Sequence, residues 1–243
     1  MRADALAVTW LGHSTFRLTE SSGRVVVIDP WLGRNPSCPP AERIQKRVDV
    51  ILVTHAHPDH CEDAAPLAAE HDADVVAAVE LCDWLSRQGV KKCHGIGKGG
   101  TIEVGGLEVS MVRADHSSAL SVEGLPRYAG EPAGYVVRFP SGIVLYHAGD
   151  TALFGDMALI ADLHEPRVAM LPIGDRYTMS PRAAARACRL LRPRVVFPMH
   201  YGTFPELTGT VEAFRKELLS VPGVELIAPR PGETVTLGAA RLA

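Results

Sequence analysis

The sequence predicts an α/β fold, on three observations. Apolar, β-branched runs of strand length recur along the whole chain. In the middle and last thirds they alternate with segments of helical spacing. One run, Val48, Val50, Ile51, Leu52 and Val53, reads as a strand buried on both faces. With 243 residues, 47% of them hydrophobic, the chain can bury a substantial core, and residues 1–243 are expected to form one domain. No apolar stretch reaches membrane-spanning length, because charges, glycines or prolines interrupt each one. The start, MRADALAVTW, lacks the apolar segment of a secretory signal. A net charge of −3 speaks against a nucleic-acid surface, which is usually basic. Five cysteines, at 38, 61, 82, 93 and 188, form no CxxC pair and no disulfide framework, so a reduced, cytoplasmic setting is expected.

Residues 6–11, 14–19 and 24–30 read as strands, separated by turn signals at Gly12-His13 and Ser21-Ser22-Gly23. Gly12-His13-Ser14 interrupts an apolar pattern, which suits either a functional His13 or a turn histidine bonded to backbone. Asp29 closes the third run, just before Pro30. Residues 33–47 carry three prolines and form a loop. After the central strand a helix begins near residue 62, with Glu62 and Asp63 at its positive end. A strand at 74–79 and a helix at 80–88 come next, and Leu81, Trp84 and Leu85 have the spacing of a core face. Strands are expected at 101–104 and 107–113. Residues 117–133 show little periodicity and read as a lid loop with Arg127 and Tyr128 at its tip. Strands at 134–139 and 143–147 flank a Pro140-Ser141-Gly142 turn. The last third alternates a strand at 168–173, a helix at 181–191, a strand at 195–199 and a helix at 211–219. Ser180-Pro181 opens the first of these helices, with serine as cap and proline at the first helical position. Residues 223–238 read as a strand, a turn and a final strand.

Chemistry concentrates where strands stop. The segment VDVILVTHAHPDHCED puts His55, His57, Asp59 and His60 within six residues on a strand-to-helix turn, the edge where α/β proteins tend to place their chemistry. His55 and His57 are two apart, so in extended backbone their rings point the same way and can hold one ion. Asp59 and His60 arrive where the chain turns and can hold a second. Imidazole with carboxylate suits zinc, iron, manganese or nickel, and the thiolates of a structural zinc site are missing. Such clustering is the usual sign of a metal site. Cys61, beside it, reads as a packed thiol. Three further runs end in ligand-type residues. They are His116, with Asp115 beside it as an alternative carboxylate; Asp150 in HAGDT, after a glycine that permits close approach; and His200 in VVFPMH. His147 either supports the site or sits in the core, and His71 and His94 fall outside any cluster.

THAHPDH matches an HxHxDH signature. Together with WLGHSTF, HAGDT, LPIGDRYTM and PMHYGTF, spread along almost the whole chain, it resembles the metallo-β-lactamase superfamily. The nearest likeness is to its small metal-dependent hydrolases related to ascorbate-6-phosphate lactonase-like proteins. The resemblance implies a four-layer αβ/βα sandwich. It implies two divalent metal ions, zinc foremost, with manganese, iron or nickel compatible. By it His55, His57 and His116 hold the first metal, Asp59, His60 and His200 hold the second, and Asp150 bridges them. Asp29 supports the metal-binding loop without being a ligand. Asp59 and His60 are the catalytic candidates. The implied reaction is attack of a hydroxide, made available by the two metals, on a small ester, lactone or phosphodiester, with no serine or cysteine nucleophile. An aspartate at the bridging position, where many true β-lactamases place a cysteine, favours the hydrolase branches. His13, Arg127, Tyr128, Arg176, Tyr177 and Tyr201 are the candidates for substrate contact, and the arginines suit a phosphorylated substrate. The expected partner is a small molecule, with homo-oligomerisation open and neither nucleic-acid binding nor membrane insertion expected. Two other readings fit the same ligands. One is an RNA-processing nuclease of the superfamily, which calls for a basic groove. The other is a di-iron redox or non-enzymatic metal-binding protein, because the donor set permits iron.

Overall fold

The computed structural model of the chain describes residues 5–242. Its centre is two mixed seven-stranded sheets. The first runs, in spatial order, Thr234–Gly238, Ala5–Trp10, Phe16–Glu20, Val25–Ile28, Val50–Leu52, Asp74–Ala78 and Cys93–Ile96. The second runs Thr101–Val104, Leu107–Arg113, Ala133–Arg138, Val144–His147, Val168–Pro172, Val195–Met199 and Glu225–Leu226. Both are built on one plan: antiparallel neighbours at one side give way to parallel neighbours at the other. The parallel strands Val50–Leu52, Val168–Pro172 and Val195–Met199 are apolar and fully buried, as covered strands must be.

Helices complete the four layers. Ala64–His71 and Val79–Arg87 cover the first sheet through Leu67, Leu81 and Leu85. Met157–His164, Pro181–Leu191 and Val211–Leu218 cover the second through Ile160, Ala184, Leu191 and Phe214. Between the sheets, the Phe16 ring meets Phe197 and His147 edge-on at 6.3 and 5.9 Å. The buried Tyr135 hydroxyl, from the second sheet, donates to the carbonyl of Val53 at 2.9 Å, directly below the histidine-rich turn. The Ser180 cap forms as expected, its hydroxyl accepting from the Ala183 amide at 3.3 Å. No helix among the described residues is long and apolar enough to cross a membrane.

Two expectations are corrected. Residues 117–133 are not an irregular loop, because Ala119–Val122 and Leu125–Tyr128 pair as a hairpin. Glu123 and Gly124 both take positive φ (52° and 76°), the two-residue turn whose twist matches flanking strands. The cysteines are not all free. Cys82, on the helix Val79–Arg87, is bonded to Cys93, which opens the next strand, with Cα atoms 5.7 Å apart. Strand, crossing helix and parallel strand bring the two thiols face to face across eleven residues, which a search for CxxC spacing does not register. The tail's two strands form as expected, Glu225–Leu226 at the edge of the second sheet and Thr234–Gly238 at the edge of the first.

Candidate metal centre

Because parallel strands end on a common edge, the residues just beyond their ends converge. Asp29 succeeds Val25–Ile28, the HAHPDH turn succeeds Val50–Leu52, Asp150 succeeds Val144–His147 and His200 succeeds Val195–Met199. His116 arrives from Leu107–Arg113, and His13 from the turn between the first two strands. Gly149 is required by close approach. A Cβ on it would lie 2.5 Å from the Ala133 carbonyl and 3.0 Å from Thr54 Cβ, so only glycine lets the Asp150 loop settle against the turn. His13, Asp29 and His200 all hold positive φ (54°, 49° and 54°), a backbone that non-glycine residues rarely adopt and that gathers at functional sites.

The side chains form three overlapping groups, each with one donor atom per residue and all donors within 4.8 Å. These are His13, Asp59, His60 and His200; His55, His57 and His116; and His55, His60 and Asp150. Asp150 Oδ2 lies 2.9 Å from His200 Nε2, 3.3 Å from His60 Nε2 and 3.7 Å from His116 Nε2. One carboxylate oxygen thus reaches both imidazole sets. His55 Nε2 faces His57 Nδ1 at 3.0 Å.

A single carboxylate orients this array. Asp29, fully buried, accepts from the Thr54 amide on Oδ1 (2.8 Å), and on Oδ2 from the Thr54 hydroxyl (2.7 Å) and His60 Nδ1 (2.8 Å). Since the Thr54 hydroxyl donates to Asp29, it accepts from His55 Nδ1 at 3.0 Å. Both His55 and His60 are therefore held in the tautomer that presents Nε2 to the centre, the arrangement metal-ligating histidines use. Asp29→Asn would aim an amide nitrogen at a donor whichever way the group turned. It is expected to weaken metal binding about 10–100-fold, read by competition with a chelator; unchanged affinity would refute the orienting role.

The electrostatics suit a cation. Burial, with the neighbouring imidazoles, lowers the basicity of His55, His57 and His116, and His13 is brought down to about 4 by burial and then by His200. These rings are neutral near pH 7 and have a lone pair to give. Burial acts on His60 in the same direction, but Asp150 and Asp29 outweigh it and hold the ring well above the ordinary histidine range. Burial would raise Asp150, yet His200 and His60 keep it well below the ordinary carboxylate range. Among the described residues neither Asp29 nor Asp150 is paired with a lysine or arginine. His60 Nε2 and Asp150 Oδ1 are buried without a hydrogen-bond partner, an arrangement costly in a finished core and natural for ligand atoms. The residues present fit a divalent cation.

His147, Cys61 and His94 have structural partners. His147 Nε2 donates to the Ser14 carbonyl (3.0 Å) and its Nδ1 accepts from the Gly149 amide (3.2 Å), fastening the Asp150 loop to the His13 turn. Cys61 donates to the Ala56 carbonyl and its buried thiol is pushed up to about 12, so it packs. His94 pairs with Asp74 on the surface. Asp115 is exposed, while His116 turns into the cluster. Of the six substrate-contact candidates, only His13 lies inside the three donor groups. Arg127 and Tyr128 sit on the exposed hairpin beside the helix Val79–Arg87, Arg176 stacks over Tyr177 at 5.5 Å, and Tyr201 stacks on Trp10 at 5.1 Å. Sequence reasoning missed Thr54 and Thr203, which bond His55 and His13, and the Trp31 and Phe204 rings that edge onto His13. Thr54 was findable as the hydroxyl adjoining the first histidine. Nothing local marks Thr203, which meets His13 across 190 residues.

A family model described as the β-lactamase superfamily domain matches residues 24–201. The chain is 46% identical over 234 residues to a UPF0173 metal-dependent hydrolase of Koribacter versatilis, covering 96% of this chain and 99% of that one. It is 48% identical over 230 residues to another from Solibacter usitatus, covering 95% and 99%. Among solved structures, Igni18, a metallo hydrolase from the archaeon Ignicoccus hospitalis, aligns with a TM-score of 0.85 at 35% identity over 96% of this chain and 98% of that one.

Proposed function

This chain belongs to the β-lactamase superfamily and is a metal-dependent hydrolase of it, and we propose that it works with two divalent cations on a small ester, lactone or phosphodiester. One observation carries the reading: the shared Asp150 oxygen within 3.7 Å of both imidazole sets. In this reading His55, His57 and His116 would hold the first cation and Asp59, His60 and His200 the second, with Asp150 between the two sets. Bound there, zinc, or manganese, iron or nickel, supplies an activated water nucleophile at neutral pH and polarises the electrophile's oxygen. The chain's own residues do the rest. Thr54 and Asp29 fix the ring orientations of His55 and His60. Asp59 is the most exposed of the site's carboxylates at 28%, and against the effect of burial His13 beside it holds its carboxyl well below the ordinary carboxylate range. We take the domain to span residues 1–243; the Cys82–Cys93 bond removes the cysteine-based ground for a cytoplasmic location.

The test is elemental analysis paired with a panel of lactones, phosphodiesters and carboxyl esters, on the wild type, Asp59→Ala and His116→Ala. About two metals per chain and one activity lost in both variants is the expected result. Folded wild-type protein that takes up no metal would overturn the reading, and cleavage confined to an RNA substrate would transfer it to the nuclease class.

A further inference from the structure

His13 stands apart from the HxHxDH pattern and precedes the stretch matched by the family model. Yet it is wholly buried and built in from several sides. Its carbonyl accepts from the His200 amide (3.0 Å) and from Trp10 Nε1 (2.9 Å). Its ring lies 4.0 Å from that of His200 and 5.6 Å from that of His60. Nδ1 lies 2.9 Å from the Thr203 hydroxyl, which has the Tyr201 carbonyl at 3.5 Å as its own acceptor. When Thr203 accepts from Nδ1–H, His13 Nε2 is left with its lone pair, the tautomer a ligand needs. Nε2 lies 3.1 Å from Asp59 Oδ2, where Nε2–H can donate to the carboxylate. A cation in place of that proton would find one donor atom each from His13, Asp59, His60 and His200, all within 4.8 Å of one another.

We propose that His13 is a ligand of the second metal position, which then draws four protein donors of its own, His13, Asp59, His60 and His200, against three imidazoles at the first. The inference rests on the proposed two-cation function and makes the two positions chemically unequal. A role limited to steering Asp59 would need only a hydrogen-bond donor at residue 13. A ligand role needs the imidazole lone pair.

Apo-protein would be titrated with Zn²⁺ under chelator competition and with Co²⁺ followed by visible absorption, for the wild type, His13→Ala and His13→Gln. Two metals in the wild type are expected, one of them weakened more than about a hundredfold in both variants, with one component of the Co²⁺ spectrum lost. Binding of two metals by His13→Gln within about threefold of wild type would reduce His13 to a positioning residue and overturn the inference while leaving the proposed function intact. A wild type that binds no metal would remove both. Should the His13 variants not fold, Thr203→Val decides: about tenfold weaker binding of one metal is expected, and unchanged binding overturns the ligand role.

Discussion

Asp150→Asn is expected to lower kcat/KM by at least about a thousandfold on whichever substrate the panel identifies, a barrier increase of about 4 kcal/mol. The size is a consequence of position. Asp150 Oδ2 lies within 3.7 Å of His116 on one side and of His60 and His200 on the other. The amide keeps the shape and loses the charge that both cations would share, so Lewis-acid stabilisation, worth several kcal/mol, is weakened at its centre. Metal content should fall below two per chain after dialysis. A rate within about tenfold of wild type would mean that Asp150 is a bystander to the reaction.

How far the sequence reveals such a site depends on where the information resides. The HAHPDH turn was legible because strand, ligands and helix start are contiguous, and the fold places them as the two-residue spacing of His55 and His57 requires. His116, Asp150 and His200 were legible individually, as residues at which apolar runs stop, because the ends of parallel strands share an edge. His13 was only half legible. A histidine in a Gly12-His13-Ser14 turn looks the same whether it caps backbone or enters a cluster, and the deciding partners, Thr203 and Asp59, lie 190 and 46 residues away. The hairpin at Ala119–Tyr128 escapes a sequence reading because its strands are short and mostly exposed, so no buried face imposes a period of two. Its Glu123-Gly124 turn was the overlooked signal. The Cys82–Cys93 bond is set by tertiary crossover geometry and has no signature in spacing.

Gly174→Ala should be a severely damaging single-methyl change beside the centre. The loop after Val168–Pro172 passes so close under His200 that a Cβ at residue 174 would lie 2.0 Å from the His200 carbonyl oxygen and 3.2 Å from its Nδ1. The first of these atoms is backbone, and that backbone is already in the left-handed region (φ 54°) and tied through the His200 amide to the His13 carbonyl. No flexible side chain can swing aside. On the other flank the Gly174 carbonyl accepts from the Gly209 amide at 3.3 Å, so retreat is blocked there as well. Overpacking of this kind costs about 3 kcal/mol or more, a fall in Tm of roughly 6–12 °C for a chain of this size. What relaxation remains must move His200, and with it the second metal position. A misplacement of about 1 Å there is enough for a further loss of rate of about a hundredfold. Gly155→Ala is the control, since a Cβ at residue 155 would meet nothing within 4 Å and its φ is not in the positive range, so it should leave Tm and activity unchanged. Thermal unfolding of the apo and metal-loaded forms separates the two effects. The apo Tm reports the backbone collision alone. A loaded form of Gly174→Ala that gains less from metal than wild type reports the displaced His200. An apo Tm equal to wild type, with full metal stabilisation, would show that the loop yields to the methyl group and that His200 owes its position to other contacts.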